Sequence, residues 1–85
     1  MASSEEALQN IVQALEELQE DNTIPKNVKT KLGNIKEILQ QQEELSLKLN
    51  KALNELDEIS DDVNVQSYTR TQLWNIASML EAIPY

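Results

Sequence analysis

Two groups of acidic side chains carry the spacing closest to chemistry. Glu16, Glu17, Glu20 and Asp21 form one, and Asp57, Glu58, Asp61 and Asp62 form the other. Carboxylates crowded near a turn are oxygen ligands for a hard divalent cation. The pattern stops short of a known site. No Glu-x-x-His pair exists for a di-iron bundle, and Asp62-x-Asn64 lacks the glycine and distal glutamate of an EF-hand loop. Solvated helix ends are the simpler account of both groups, so no metal ligand is assigned. The chain has no cysteine and no histidine, which removes thiolate chemistry, the commonest general base and the commonest transition-metal ligand. Ser and Thr hydroxyls lack that base. A carboxylate on a solvated face has no raised pKa to work with, and no glycine-rich phosphate loop occurs. No catalytic residue and no cofactor are expected, and the chain reads as a non-enzyme.

Fifteen acidic residues against seven basic give a net charge of −8 over 85 residues. That field repels nucleic-acid backbones and anionic membranes. Lys26, Lys29, Lys31 and Lys36 interrupt it in a stretch free of acids from Asn22 to Lys36. This stretch supports an alternative reading as a nucleic-acid- or ribosome-associated factor, although no aromatic residues interleave it. No apolar run approaches the roughly 20 residues that span a bilayer. "MASSEEALQN" carries two acids and no base and reads as neither a secretory nor a transit signal. A cytoplasmic protein is expected, with no membrane association.

The elements that must position these groups are helices. One glycine, two prolines and few aromatics among many Leu, Glu, Gln and Lys describe an all-α chain. Leu8, Ile11, Val12, Leu15 and Leu18 mark one face of a first helix over about Ser4–Gln19, with Ser4 as its expected cap. Thr23 is the expected cap of a second helix that begins near Pro25 and carries Val28, Leu32, Ile35, Ile38 and Leu39. Leu49, Ala52, Leu53, Leu56 and Ile59 mark a third. Val65, Leu73, Ile76, Ala77, Leu80 and Ile83 mark a fourth.

The chain says nearly the same thing twice. Leu15–Leu39 aligns with Leu56–Leu80 at a constant shift of 41, and eight of 25 columns are identical. Leucine matches follow from periodicity alone, but the pairs Asp21/Asp62, Thr30/Thr71 and Asn34/Asn75 do not. This argues for two duplicated helical hairpins, over about residues 1–41 and 42–82, in a single helical domain of residues 1–85. The 41-residue period is HEAT-like, but an open stack needs about three repeats to bury its faces. Two hairpins bury theirs only against each other, so an antiparallel up-and-down four-helix bundle is expected. The join "LQQQEELSLKLNK" has neither Gly nor Pro. A single helix from Pro25 to Ser60 almost fits it, but the repeat places a loop near Gln41–Leu45, with Ser46 as a possible cap.

"LDEISDDVNVQSYTRTQLWNIASMLEAI" and "EDNTIPKNVKT" resemble the archaeal uncharacterised protein family 0147, from about Leu8 to Ile83. The most specific elements are Leu56-Asp57-Glu58-Ile59-Ser60, the Ile24-Pro25-x-Asn27-Val28 turn, and Arg70-Thr71 followed by Trp74. The resemblance implies a four-helix up-and-down bundle, a cytoplasmic archaeal protein and no established activity. The chain departs from the family pattern after Asp62, where Val63 and Gln66 stand in place of prolines.

The remaining candidate is a partner surface. With Leu73 at zero on the helical wheel, the core positions lie at about 280–340° and Trp74 at about 100°. Arg70 precedes Trp74 by one turn and could stack on the indole, and Ala77 and Glu81 follow on that side. The repeat puts Gly33 at the matching place, flanked by Lys29 and Lys36. Trp74, Arg70, Ala77, Lys29, Gly33 and Lys36 are therefore the candidate contact residues. They suit a protein partner or a homodimer better than nucleic acid, since Trp and Arg most often dominate protein interfaces. Coverage of a neighbouring helix, or of the gap over Gly33, is the competing use of the tryptophan.

Overall fold

The computed structural model describes residues 4–83. Its four helices are α1 (Ser4–Gln19), α2 (Lys26–Gln40), α3 (Leu45–Ser60) and α4 (Ser67–Glu81). Each is amphipathic and turns one mainly aliphatic stripe inward. Helices α1, α2, α3 and α4 pack in ring order, α4 returns to α1, and the diagonal pairs do not meet. The result is the closed up-and-down four-helix bundle. Its 34 Å long axis is one helix of about 24 Å plus a loop at each end, which leaves no room for an open stack of hairpins.

One cluster of 16 buried aliphatic side chains fills the bundle. Ile11, Leu15, Leu32, Ile35, Leu56, Ile59, Leu73 and Leu80 are its largest members. Among the described residues the core contains no aromatic side chain. Thr69 is its one buried polar residue, at the place where α2 carries Val28. Leu8, Val12, Leu18 and Leu53 pack on it from the edges.

The bounds of α3 and α4 are those of α1 and α2 displaced by 41 residues, and the corner bonds follow the same register. The Thr23 N–H donates to Asp21 Oδ1 at 2.9 Å, as the Asn64 N–H does to Asp62 Oδ1 at 2.9 Å. The Ile24 N–H donates to the Asp21 carbonyl, and the Val65 N–H to that of Asp62. Such turns, closed by an aspartate over its own backbone, reverse the chain without glycine. Thr30 and Thr71 each return a hydroxyl to the carbonyl four residues earlier, on Lys26 and Ser67. The recurrence of Asp and Thr thus has a structural counterpart. Nothing in the structure explains the Asn34/Asn75 identity.

The expected caps differ from those observed. Ser4 is the first residue of α1 itself. Thr23 does not cap α2, because it stands two residues before the cap position at Pro25; its hydroxyl donates to Asp21 Oδ1 at 2.7 Å. The helix starts after Pro25 with no side-chain cap. Ser46 lies inside α3, whose uncapped start follows Glu44. The α2–α3 loop is held from the α3 side instead. Lys48 Nζ donates to the Leu39 carbonyl at 3.4 Å, which places a cation where the α2 dipole favours one. Lys51 pairs with Glu43 at 3.0 Å. Gln41 turns to extended backbone and ends α2, so the single long helix does not form.

Leu73 is fully buried and its neighbour Trp74 is not. Leu73→Ala is expected to cost on the order of 3 kcal/mol and to lower Tm by roughly 15 °C in a domain of this size, as measured by thermal circular dichroism.

Candidate partner surface

The outer face of α4 on its α3 flank carries Arg70, Trp74 and Ala77. Trp74 is 58% exposed, an unusual state for the chain's single indole. Ala77 is half-buried and packs on the core beneath it. The expected stacking of Arg70 on Trp74 gives way to a different use of the guanidinium. Arg70 Nη2 donates to the carbonyls of Asp62 at 3.2 Å and Val65 at 3.4 Å. Its charge sits beside the loop that follows the C-terminus of α3, where carbonyls gather and the helix dipole favours a cation. The Arg70 Nε is buried without an acceptor among the described residues. Arg70 thus braces the α3–α4 corner.

Lys29, Gly33 and Lys36 lie on the α1 flank of α2. Helix α2 does not touch α4, so these three residues share no surface with Trp74. The six candidates fall on opposite outer faces of the bundle, one face per hairpin. Trp74 therefore does not fill the space over Gly33. Gln19 does: its Nε2 donates to the Lys29 carbonyl at 3.3 Å, and it lies 2.9 Å from where a Cβ on residue 33 would sit. Both hairpins are tied at the same corner by different means, an amide from the first helix in one and a guanidinium from the second helix in the other. Position 60, which corresponds to Gln19, is a serine too short to make that reach. Gln19 escaped the sequence reading because it lies 10 residues from its acceptor on a helix face that looks merely polar.

The lysines divide between two flanks of α2. Lys26, Lys29 and Lys36 fall within about 80° of one another on the helix. Lys31 faces the other flank and pairs with Glu58 at 3.7 Å. The acidic groups are spread along the surface, and among the described residues no three come together as an ion's ligand set. The Asp21 carboxyl is held below the usual carboxylate range, first by the Thr23 hydroxyl, then by the Thr23 N–H, with a smaller pull from Lys29. No helix among the described residues is long and apolar enough to cross a membrane.

Fold and surface together define a small acidic bundle with a bare indole on one hairpin and a lysine face on the other. The family model of the uncharacterised protein family UPF0147 matches residues 1–83. A UPF0147 protein of Methanosarcina mazei is 35% identical over 82 residues, covering 95% of this chain and 88% of its own. That of Methanocaldococcus jannaschii is 39% identical over 80 residues, covering 93% and 86%. The crystal structure of the unknown function protein MMP1188 superposes with a TM-score of 0.94 at 40% identity, over 100% of this chain and 98% of that one. The chain belongs to the UPF0147 family, whose description names no activity.

Two measurements follow from this geometry. Gly33→Ala removes the roughly 1 kcal/mol penalty of a helical glycine and displaces only the flexible end of Gln19, whose long hydrogen bond contributes about 0.5 kcal/mol. The variant should be slightly more stable, by a few degrees in Tm. Asp21 is favoured as the charged form in the folded state. Its contribution is present at neutral pH and is lost as pH falls through its lowered pKa. An NMR titration of Asp21 should show that pKa rising toward the usual range in Thr23→Val, which removes the hydroxyl and keeps the N–H.

Proposed function

We propose that the protein is a small non-enzymatic interaction module whose contact surface is centred on Trp74. The observation that carries this reading is the exposed indole in a chain whose core takes no aromatic side chain. Burying that ring against a partner supplies the large apolar contact that anchors protein interfaces. Arg70 and Ala77 flank it, Arg70 as a fixed rim and Ala77 as a low floor. The occupant is a protein partner or a second copy of the chain. The same reading takes the two hairpins as copies of one ancestral unit, supported by the shared register of helices and corner bonds.

The lysine face of α2 supports a second reading, a nucleic-acid-associated factor, because Lys26, Lys29 and Lys36 lie within one arc. The net charge of −8 weighs against it. RNA binding that survives physiological salt, and that is lost on replacing those three lysines by glutamine, would decide in its favour.

Trp74→Ala tests the first reading. The variant should lose less than about 1 kcal/mol of stability, as surface substitutions do. It should fail to capture the partner that wild-type protein retains from native lysate, or to form the dimer seen by light scattering. A loss of several kcal/mol would make Trp74 a structural residue and end the proposal.

A further inference from the structure

Two of the four seams join the hairpins to each other, α2–α3 and α4–α1, and the shift of 41 maps one onto the other. The first is zipped. Lys31 Nζ meets Glu58 Oε2 at 3.7 Å, and Asn27 Nδ2 donates to Asp62 Oδ2 at 3.2 Å. In the second, Glu17 and Asp21 occupy the places of Glu58 and Asp62, but Gln72 stands for Lys31 and Tyr68 for Asn27. Among the described residues neither Glu17 nor Asp21 has an ion pair. Ala14 also replaces the bulk of Glu55. Helices α1 and α4 approach less closely than α2 and α3. Between them lies a cleft of about 240 Å³ with Leu18, Ile76 and Met79 in its wall and Glu17, Asp21 and Tyr68 at its rim. Tyr68 is 67% exposed and Met79 39%.

We propose that this cleft docks a basic amphipathic helix of another protein. Its lysine or arginine pairs with Glu17 and Asp21, which have no ion pair across this seam, and its aliphatic stripe covers Leu18 and Met79. The helix α1 and its following loop carry six acids and no base, so the α1 side of this seam attracts a cation, with Lys29 of α2 the one base that acts on Asp21. The α4 stripe Tyr68, Gln72, Asn75 and Met79 is uncharged and presents about 16 Å of surface, the length of a three-turn helix. The cleft carries Glu17 and Asp21 and no base, so a symmetric pairing of two copies brings no complementary cation to it, which disfavours a second copy as occupant. Met79 and Trp74 are five residues apart and point about 140° apart on α4. This surface is thus separate from the indole, and the proposal stands without the Trp74 reading.

Two synthetic helical peptides of roughly 15 residues test it, one with a leucine stripe flanked by lysines and one with the lysines replaced by glutamates. The lysine peptide should shift the amide signals of Leu18, Tyr68, Gln72 and Met79, more weakly as salt rises, and the glutamate peptide should shift none. Gln72→Lys, copying Lys31, should raise Tm by closing the seam and weaken the lysine peptide about tenfold, a change of about 1.4 kcal/mol. Trp74→Ala should bind that peptide as wild type does. Shifts centred elsewhere, equal binding of both peptides, or an unchanged affinity in folded Gln72→Lys would overturn the proposal. So would cleft signals that move with the protein's own concentration, since a second copy would then be the occupant.

Discussion

The bundle depends on burying one aliphatic stripe per helix when no pair of helices can hide its own. A hairpin of one 16-residue and one 15-residue helix leaves part of its apolar face in water. The only remedy in a chain this short is a second hairpin laid against the first. All else follows from that closure. It fixes which flank of each helix meets a neighbour, and it explains why the core is built from Leu, Ile and Val with no aromatic ring. Short branched side chains let four helices approach evenly, whereas an indole would force them apart. The tryptophan is therefore outside, and its position there is a consequence of the packing.

Closure also decides where the two halves are free to differ. Most positions that face the core keep their character across the shift, as Leu32/Leu73, Ile35/Ile76 and Leu39/Leu80 do, with Val28/Thr69 the exception. Positions at corners keep the groups that turn the chain, Asp21 and Asp62. The divergence falls on flanks: Gly33 against Trp74, Gln19 against Ser60, Lys31 against Gln72, Asn27 against Tyr68. One hairpin spends these positions on its own bracing and on the α2–α3 seam. The other leaves them to solvent. The two hairpins thus present unlike faces, and the large exposed apolar side chains among the described residues all fall on the second, at Leu47, Val63, Tyr68, Trp74 and Met79.

Much of this was legible in the sequence. The apolar spacing set α1 at Ser4–Gln19, and the repeat located the α2–α3 break where composition alone favoured a continuous helix. The outward direction of Trp74 followed from 100° steps. What escaped were contacts between residues distant in sequence. A wheel gives an angle but not the neighbour at that angle. It could not reveal that Arg70 turns back to the Asp62 and Val65 carbonyls, that Gln19 covers Gly33, or that Lys48 reaches the end of α2. Caps failed for a related reason. Thr23 has the right chemistry, but α2 begins after Pro25, too late for Thr23 to cap it, and its hydroxyl donates to Asp21 instead; the local pattern does not fix the helix start to within two residues.

Three of the four seams join helices that follow one another in the chain, so each forms by closing a loop of only a few residues. The α1–α4 seam alone requires the two ends of the molecule to find each other. Mostly local contacts make for rapid folding, and the single long-range seam carries the largest single loop-closure cost. That seam, already the looser of the two that join the hairpins, is where the ring is expected to close last and to open first. Hydrogen exchange on the amides of α1 and α4 would then run ahead of α2 and α3, and the bundle would breathe along one edge while its other three remain shut.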